Sequence, residues 1–202
     1  MDFREWVARV ARWQSYRAGQ FIYMAGDAAD GLYGLASGGL EITFPLIADE
    51  PVVVYRAEPG FWIGDNAELA DTPRLVSLKA AITSKILHVP HGAIHSMLKE
   101  RPEQWRAFYR LSSINVNRAI GLLAEALSLS VRARVCRRLL QLTESSEQTG
   151  LTQDDLAKMV GVARSTLRPC LNDLVQQGAI EIGYRRLRVV NRGVLQTYKD
   201  EQ

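Results

Sequence analysis

Cysteine is almost absent: the 202-residue chain holds two, Cys136 and Cys170, 34 positions apart. Both fall in stretches of helical periodicity, so no disulfide framework is expected. No apolar run approaches the ~18 residues that a membrane-spanning helix requires. The first residues, Met-Asp-Phe-Arg-Glu-Trp, are charged from the start, and no apolar segment follows them. No secretory signal is therefore read there, and a cytoplasmic protein is expected. The chain also lacks a nucleophile–base constellation, a phosphate-binding loop and a patterned set of metal ligands, which speaks against an enzyme. Histidine is scarce as well. His88, His91 and His95 run from a strand end through Pro90 into a helix, and only His91 and His95 share the i, i+4 spacing. They are read as solvated side chains on a surface turn, and no metal is expected.

What is present divides unevenly. A hydrophobic content of 47% suffices for real cores, and the length suits one or two domains. Residues 1–127 carry 13 Lys and Arg against 14 Asp and Glu, a net charge of −1. Residues 128–202 carry 12 against 8, a net charge of +4. A basic excess confined to one part is what a phosphate-binding surface requires, although alone it is weak evidence.

Residues 2–12 have helical periodicity through Phe3, Trp6, Val7 and Val10. From Tyr16 to Val89 the pattern becomes short β-branched and aromatic runs punctuated by glycine and proline, which predicts a β barrel or jelly roll. Helical period returns after Pro90, with a short helix over about 91–99 and a long one from Pro102 to about Leu127. That long helix is apolar on more than one stripe. Trp105, Phe108, Leu111 and Ala119 are expected to lie on the β domain. Tyr109, Val116, Ile120, Leu123 and Leu127 are expected to meet the same helix of a second copy, packed as a coiled coil. The expected class is α+β, divided as 1–100, 101–128 and 129–202.

The most informative segment is Thr152–Leu174. Thr152 can cap a helix, with Asp155 three residues on to complete a capping box. Leu156 and Val160 give that helix an apolar face, and Gly161 stands where a turn needs positive φ. Val162, Leu167, Cys170, Leu171 and Leu174 then bury a second helix. Its other face carries Arg164, Ser165, Thr166 and Arg168, side chains able to reach base edges and phosphates in a major groove. Beyond Gly178, residues 179–190 read as strand–turn–strand with a basic tip. The whole is a winged helix-turn-helix. Arg164, Ser165 and Arg168 are assigned to the groove. Thr152, Thr166, Arg185 and Arg186 are assigned to phosphates. Pro169 disturbs this pattern, since inside a helix it removes one hydrogen bond and crowds the carbonyl four residues earlier, at up to ~3 kcal/mol. Three alternatives stand: a distorted recognition helix, a helix that starts later, or lost DNA binding.

Jelly roll, long helix and winged helix-turn-helix in this order resemble the superfamily of bacterial regulators typified by the cyclic-AMP receptor protein and the fumarate–nitrate regulator. The resemblance runs from about Tyr16 to Val190. It is carried by Gly26, Gly31, Gly38, Gly60 and Gly64, by Pro59–Asp65, by Pro73-Arg74 and by Gly161–Thr166. It implies a homodimeric transcription factor that binds a palindromic operator in double-stranded DNA and contacts RNA polymerase, with an effector pocket in the β domain. In cyclic-nucleotide binders of the family, a Gly-Glu pair holds the ribose and an Arg followed by Ser or Thr grips the phosphate. The matching residues here are Gly64, Asp65, Arg74 and Leu75, with Ala119 and Ile120 facing the purine. Leu75 would put an apolar group where a phosphate oxygen lies, which argues against a cyclic nucleotide. Instead, Arg74 is expected to form an internal ion pair with Asp65 or Glu68. Iron–sulfur members need about four cysteines, so a cluster is excluded. The alternative to a DNA-binding regulator is a small-molecule sensor of the same fold that acts by protein–protein contact.

Overall fold

In the computed structural model, which describes residues 3–45, 52–143, 148–149, 152–183 and 186–202, the β-rich region forms eight strands. Helix α1 (Phe3–Val10) leads into β1 (Arg12–Tyr16), β2 (Phe21–Tyr23), β3 (Gly31–Ser37), β4 (Leu40–Phe44), β5 (Val52–Ala57) and β6 (Trp62–Ile63). Helix α2 (Asp65–Ala70) interrupts before β7 (Ser77–Ala80) and β8 (Ser84–Pro90), which runs directly into α3 (His91–Glu100). The strands make two antiparallel four-stranded sheets, ordered β1-β8-β3-β6 and β2-β7-β4-β5. Leu35 and Ile86 of the first sheet pack with Leu40, Ile42 and Leu78 of the second in one buried core. The expected jelly roll is therefore present.

A single turn of 3-10 helix (Pro102–Gln104) precedes the long helix α4 (Trp105–Ser128). On α4 the contact with the β domain is narrower than the apolar pattern predicts. Phe108 is buried and Leu111 packs on the same cluster, but Trp105 and Ala119 are exposed. Phe3 and Trp6 of α1 meet the Phe108 ring edge-on at 5.4 and 6.2 Å, so one turn of α4 completes this core.

The chain divides into two units, Met1–Arg118 and Ala119–Gln202, and α4 contributes to both. In the second unit, α5 (Val131–Leu142) starts at Ser130, whose hydroxyl accepts from the Ala133 N–H at 3.1 Å. Then come β9 (Gln148–Thr149), α6 (Gln153–Val160), α7 (Arg164–Gln176), β10 (Ile180–Gly183), β11 (Arg186–Val189) and α8 (Arg192–Tyr198). The three strands form an antiparallel sheet in the order β10-β11-β9. β9 lies in the polar stretch between α5 and α6. Two residues are too short a run to carry an alternation signal. Val135, Leu139, Leu156, Leu167, Leu171, Leu174 and Leu195 form one core. Arg132 closes it at the C-terminus, donating to Asp173 at 2.8 Å and to both carboxylate oxygens of Glu201. No described helix is long and apolar enough to cross a membrane.

Candidate nucleic-acid interface and effector pocket

The α6–α7 pair assembles as its sequence predicts. The Thr152 hydroxyl accepts from the Asp155 N–H at 3.1 Å, and the Asp155 carboxylate accepts from the Thr152 N–H at 3.1 Å. That reciprocal cap offsets two donors that a helix start otherwise leaves unpaired. The Thr152 hydroxyl also donates to Asp155 at 2.8 Å, so it is engaged within the cap. Gly161 ends α6 with φ 72, a conformation that a residue with a Cβ adopts at a cost. Helix α7 then buries Leu167, Leu171 and Leu174 and leaves Arg164, Ser165, Thr166 and Arg168 exposed together on its first turns. Arg164 makes an exposed ion pair with Asp154 at 3.3 Å, a contact weak enough for a phosphate or base to displace.

Pro169 lies inside α7, which begins at Arg164. The alternative of a later helix start is therefore excluded. Pro169 is exposed, as is Ser165 four residues earlier, so the carbonyl that loses its partner can turn to water. Cys170 is half-buried, and burial pushes its thiol up to about 11; Cys136 is buried and pushed up to about 12. Both are thiols rather than thiolates at neutral pH. Arg185 lies outside the described residues. Arg186 opens β11 at the wing, paired with Gly183, and its side chain is likewise outside the description.

In the first unit, Arg74 is 3% exposed and turned inward. Its ion-pair partner is Asp30, at 2.7 Å, rather than Asp65 or Glu68. Gly31 O and Gly64 O accept two further N–H groups at 2.8 and 3.0 Å, and the guanidinium carbon sits 4.5 Å from the Tyr23 ring centroid. The expectation of an internal pair holds, but the partner comes from the β2–β3 connection. Gly64 is held at φ 107, where a Cβ would stand 2.7 Å from Gly31 O and 2.8 Å from Arg74 Nη1. Glycine is required there for that close approach.

Burial alone would raise the Asp30 carboxyl, but hydrogen bonds from Tyr33 and Arg74 outweigh it and hold the group below the usual carboxylate range. Asp65 is buried and accepts from Asn115 Nδ2 of α4 at 2.9 Å, while a second Asn115 N–H reaches Trp62 O at 3.1 Å. Asn115 carries no mark in the sequence, where an amide on a long amphipathic helix gives no signal, and Asn117 beside it offers the same chemistry. Leu75 is 59% exposed, so it lies on the surface instead of filling the site beside Arg74. Ala119 and Ile120 are exposed on the part of α4 that belongs to the second unit. A cavity of about 140 Å³ in the first unit is lined instead by Phe3, Trp6, Leu32, Trp62 and Phe108.

The remaining expected interface lies along α4. Tyr109, Val116, Ile120, Leu123 and Leu127 are 55–80% exposed, with Val116 lowest and Leu127 highest.

The model of the cyclic nucleotide-binding domain matches residues 13–101, and that of the Crp-like helix-turn-helix domain matches residues 133–198. The "CRP-like cAMP-activated global transcriptional regulator" of Mycobacterium tuberculosis is 24% identical over 173 residues, covering 81% of this chain and 77% of that protein. FixK2 from Bradyrhizobium japonicum superimposes with a TM-score of 0.82 at 19% identity, over 96% of this chain and 99% of its own. A putative regulator of the CRP/FNR family from Eubacterium rectale gives 0.80 at 15% identity, over 98% and 95%.

Proposed function

Since the chain belongs to the superfamily of bacterial regulators typified by the cyclic-AMP receptor protein and the fumarate–nitrate regulator, and is a DNA-binding transcriptional regulator, we propose that it works as a homodimer on a palindromic operator without cyclic AMP. The observation that carries the DNA reading is the exposed Arg164, Ser165, Thr166 and Arg168 face of a capped α6–α7 pair. A guanidinium there can pair bidentately with guanine O6 and N7, worth about 1–3 kcal/mol of discrimination. Support for the dimer comes from the exposed apolar positions of α4, spaced by seven, four, three and four from Tyr109 to Leu127. That spacing is the alternation of a two-helix seam, and apolar side chains so exposed call for a partner.

Independence from cyclic AMP is supported by two side chains already engaged within the protein. Arg74 spends three N–H groups on Asp30, Gly31 and Gly64, and Asp65 accepts from Asn115. A cyclic phosphate would have to displace those partners. The test is selection from randomised duplex DNA at near-physiological salt, with ligand-free protein and with cyclic AMP added. Enrichment of one palindrome with half-sites about one helical turn apart, equally in both conditions, is the expected result. Enrichment only with cyclic AMP would overturn the effector reading, and no enrichment in either condition would overturn the DNA reading.

A further inference from the structure

We propose that Glu68, His91 and His95 form a binding site for a first-row divalent metal ion of the zinc class. The three histidines read as solvated in the sequence do not behave alike. His88 stacks on Tyr33 at 4.6 Å and takes no part. His91 and His95, one turn apart on α3, share a face with ring centroids 4.0 Å apart. Helix α2 brings Glu68 beneath them. His91 Nδ1 lies 2.8 Å and His95 Nε2 3.8 Å from the same Glu68 Oε1, and the three donor atoms all lie within 4.8 Å of one another. Tetrahedral zinc with bonds of about 2.0–2.2 Å spaces its donors ~3.3–3.6 Å apart, so small side-chain rotations reach that geometry.

The second observation is the state of Glu68. Its side chain is fully buried, and neither carboxylate oxygen has a hydrogen-bond partner among the described residues. His91 Nδ1 touches Oε1 without hydrogen-bond geometry and has no hydrogen-bond partner of its own among the described residues. A desolvated carboxylate and a buried imidazole nitrogen, both aimed at one point and neither hydrogen-bonded, are costly as they stand. A cation placed between them compensates all three donors. The imidazole side chains are 43% and 54% exposed, which gives the ion an entry path and room for a water as a further ligand. Two imidazoles and one carboxylate suit zinc, cobalt or nickel, not the all-oxygen shells of calcium and magnesium. An ion there would clamp α2 to α3 beside Arg74, since Gly64 at the start of α2 also accepts from that residue.

Titration of metal-free full-length protein with cobalt(II) reads coordination by visible absorption, and competition with zinc(II) gives affinity. One saturable equivalent is expected, with a loss of at least ~10-fold in both His95→Ala and Glu68→Gln. His95 is exposed, so its variant keeps the fold. Circular dichroism checks Glu68→Gln, and His91→Ala replaces it should it not fold. Absence of a saturable equivalent, or retention of wild-type affinity by either variant, overturns the site.

Discussion

Burying the Arg74 guanidinium is tolerable because Asp30, Gly31 and Gly64 accept its N–H groups and Tyr23 offers a ring face. The Asp30 carboxyl is held below its ordinary value, so its contribution is fully present above the unfolded pKa of about 3.9. It is lost as pH falls through the lowered folded value. All four tryptophans, Trp6, Trp13, Trp62 and Trp105, lie in the first unit, so their fluorescence reports its unfolding. Between pH 7 and pH 3 the urea midpoint of the wild type is expected to fall further than that of Asp30→Asn; equal falls would remove Asp30 from the account. Pro169 makes a second case. It is exposed inside α7, so Pro169→Ala forfeits no packing and restores a backbone donor. Thermal unfolding followed by circular dichroism should show a gain of about 1–3 kcal/mol. A loss would mean that the proline fits a helix shaped around it.

Helix starts and stops were the most legible elements. Thr152 with Asp155, Gly161 and Gly178 are local devices that act within four residues, and each stands where its pattern places it. Thr152 itself allows a test that separates capping from phosphate contact. Thr152→Ala should cost about 1 kcal/mol of stability, while Arg168→Ala, on an exposed position, should weaken DNA binding at unchanged stability. Should Thr152→Ala impair DNA binding as strongly as Arg168→Ala without destabilising the fold, phosphate contact is its main role. Less legible were β9 and α8, which complete the second unit. β9 is two residues long, and α8 earns its place through Leu195 in the core and the Glu201 clasp on Arg132. β9 displays no pattern of its own, and the one local mark of α8 is its Asn191 cap, which accepts from the Gly193 and Val194 N–H groups.

At the scale of the whole molecule, the proposed dimer rests on the exposed apolar positions of α4. Ile120 and Leu123 are 59% and 58% exposed, so replacing both by glutamate should leave the fold intact. The double variant is expected to sediment as a monomer at micromolar concentration and to lose most of its operator affinity, because one half-site forfeits the second copy's contacts. A wild type that is itself monomeric at that concentration would sink the dimer. The division at Arg118 also bears on this scale. The boundary falls inside α4, whose residues are shared between the two units.

Domain order, the helix-turn-helix and the exposed polar face of α7 were determined by the sequence itself, since periodicity, caps and turn glycines express forces between near neighbours in the chain. The pairings of Arg74 and Asp65 were decided only in three dimensions. Asp30 reaches Arg74 across 44 residues and Asn115 reaches Asp65 across 50, through sheet closure and helix packing. Glu68 meets His91 and His95 by the same route. A carboxylate in a sequence is surrounded by many potential partners of equal chemistry. Which one it meets depends on burial, where an unpaired charge costs most, and burial is a property of the folded core alone.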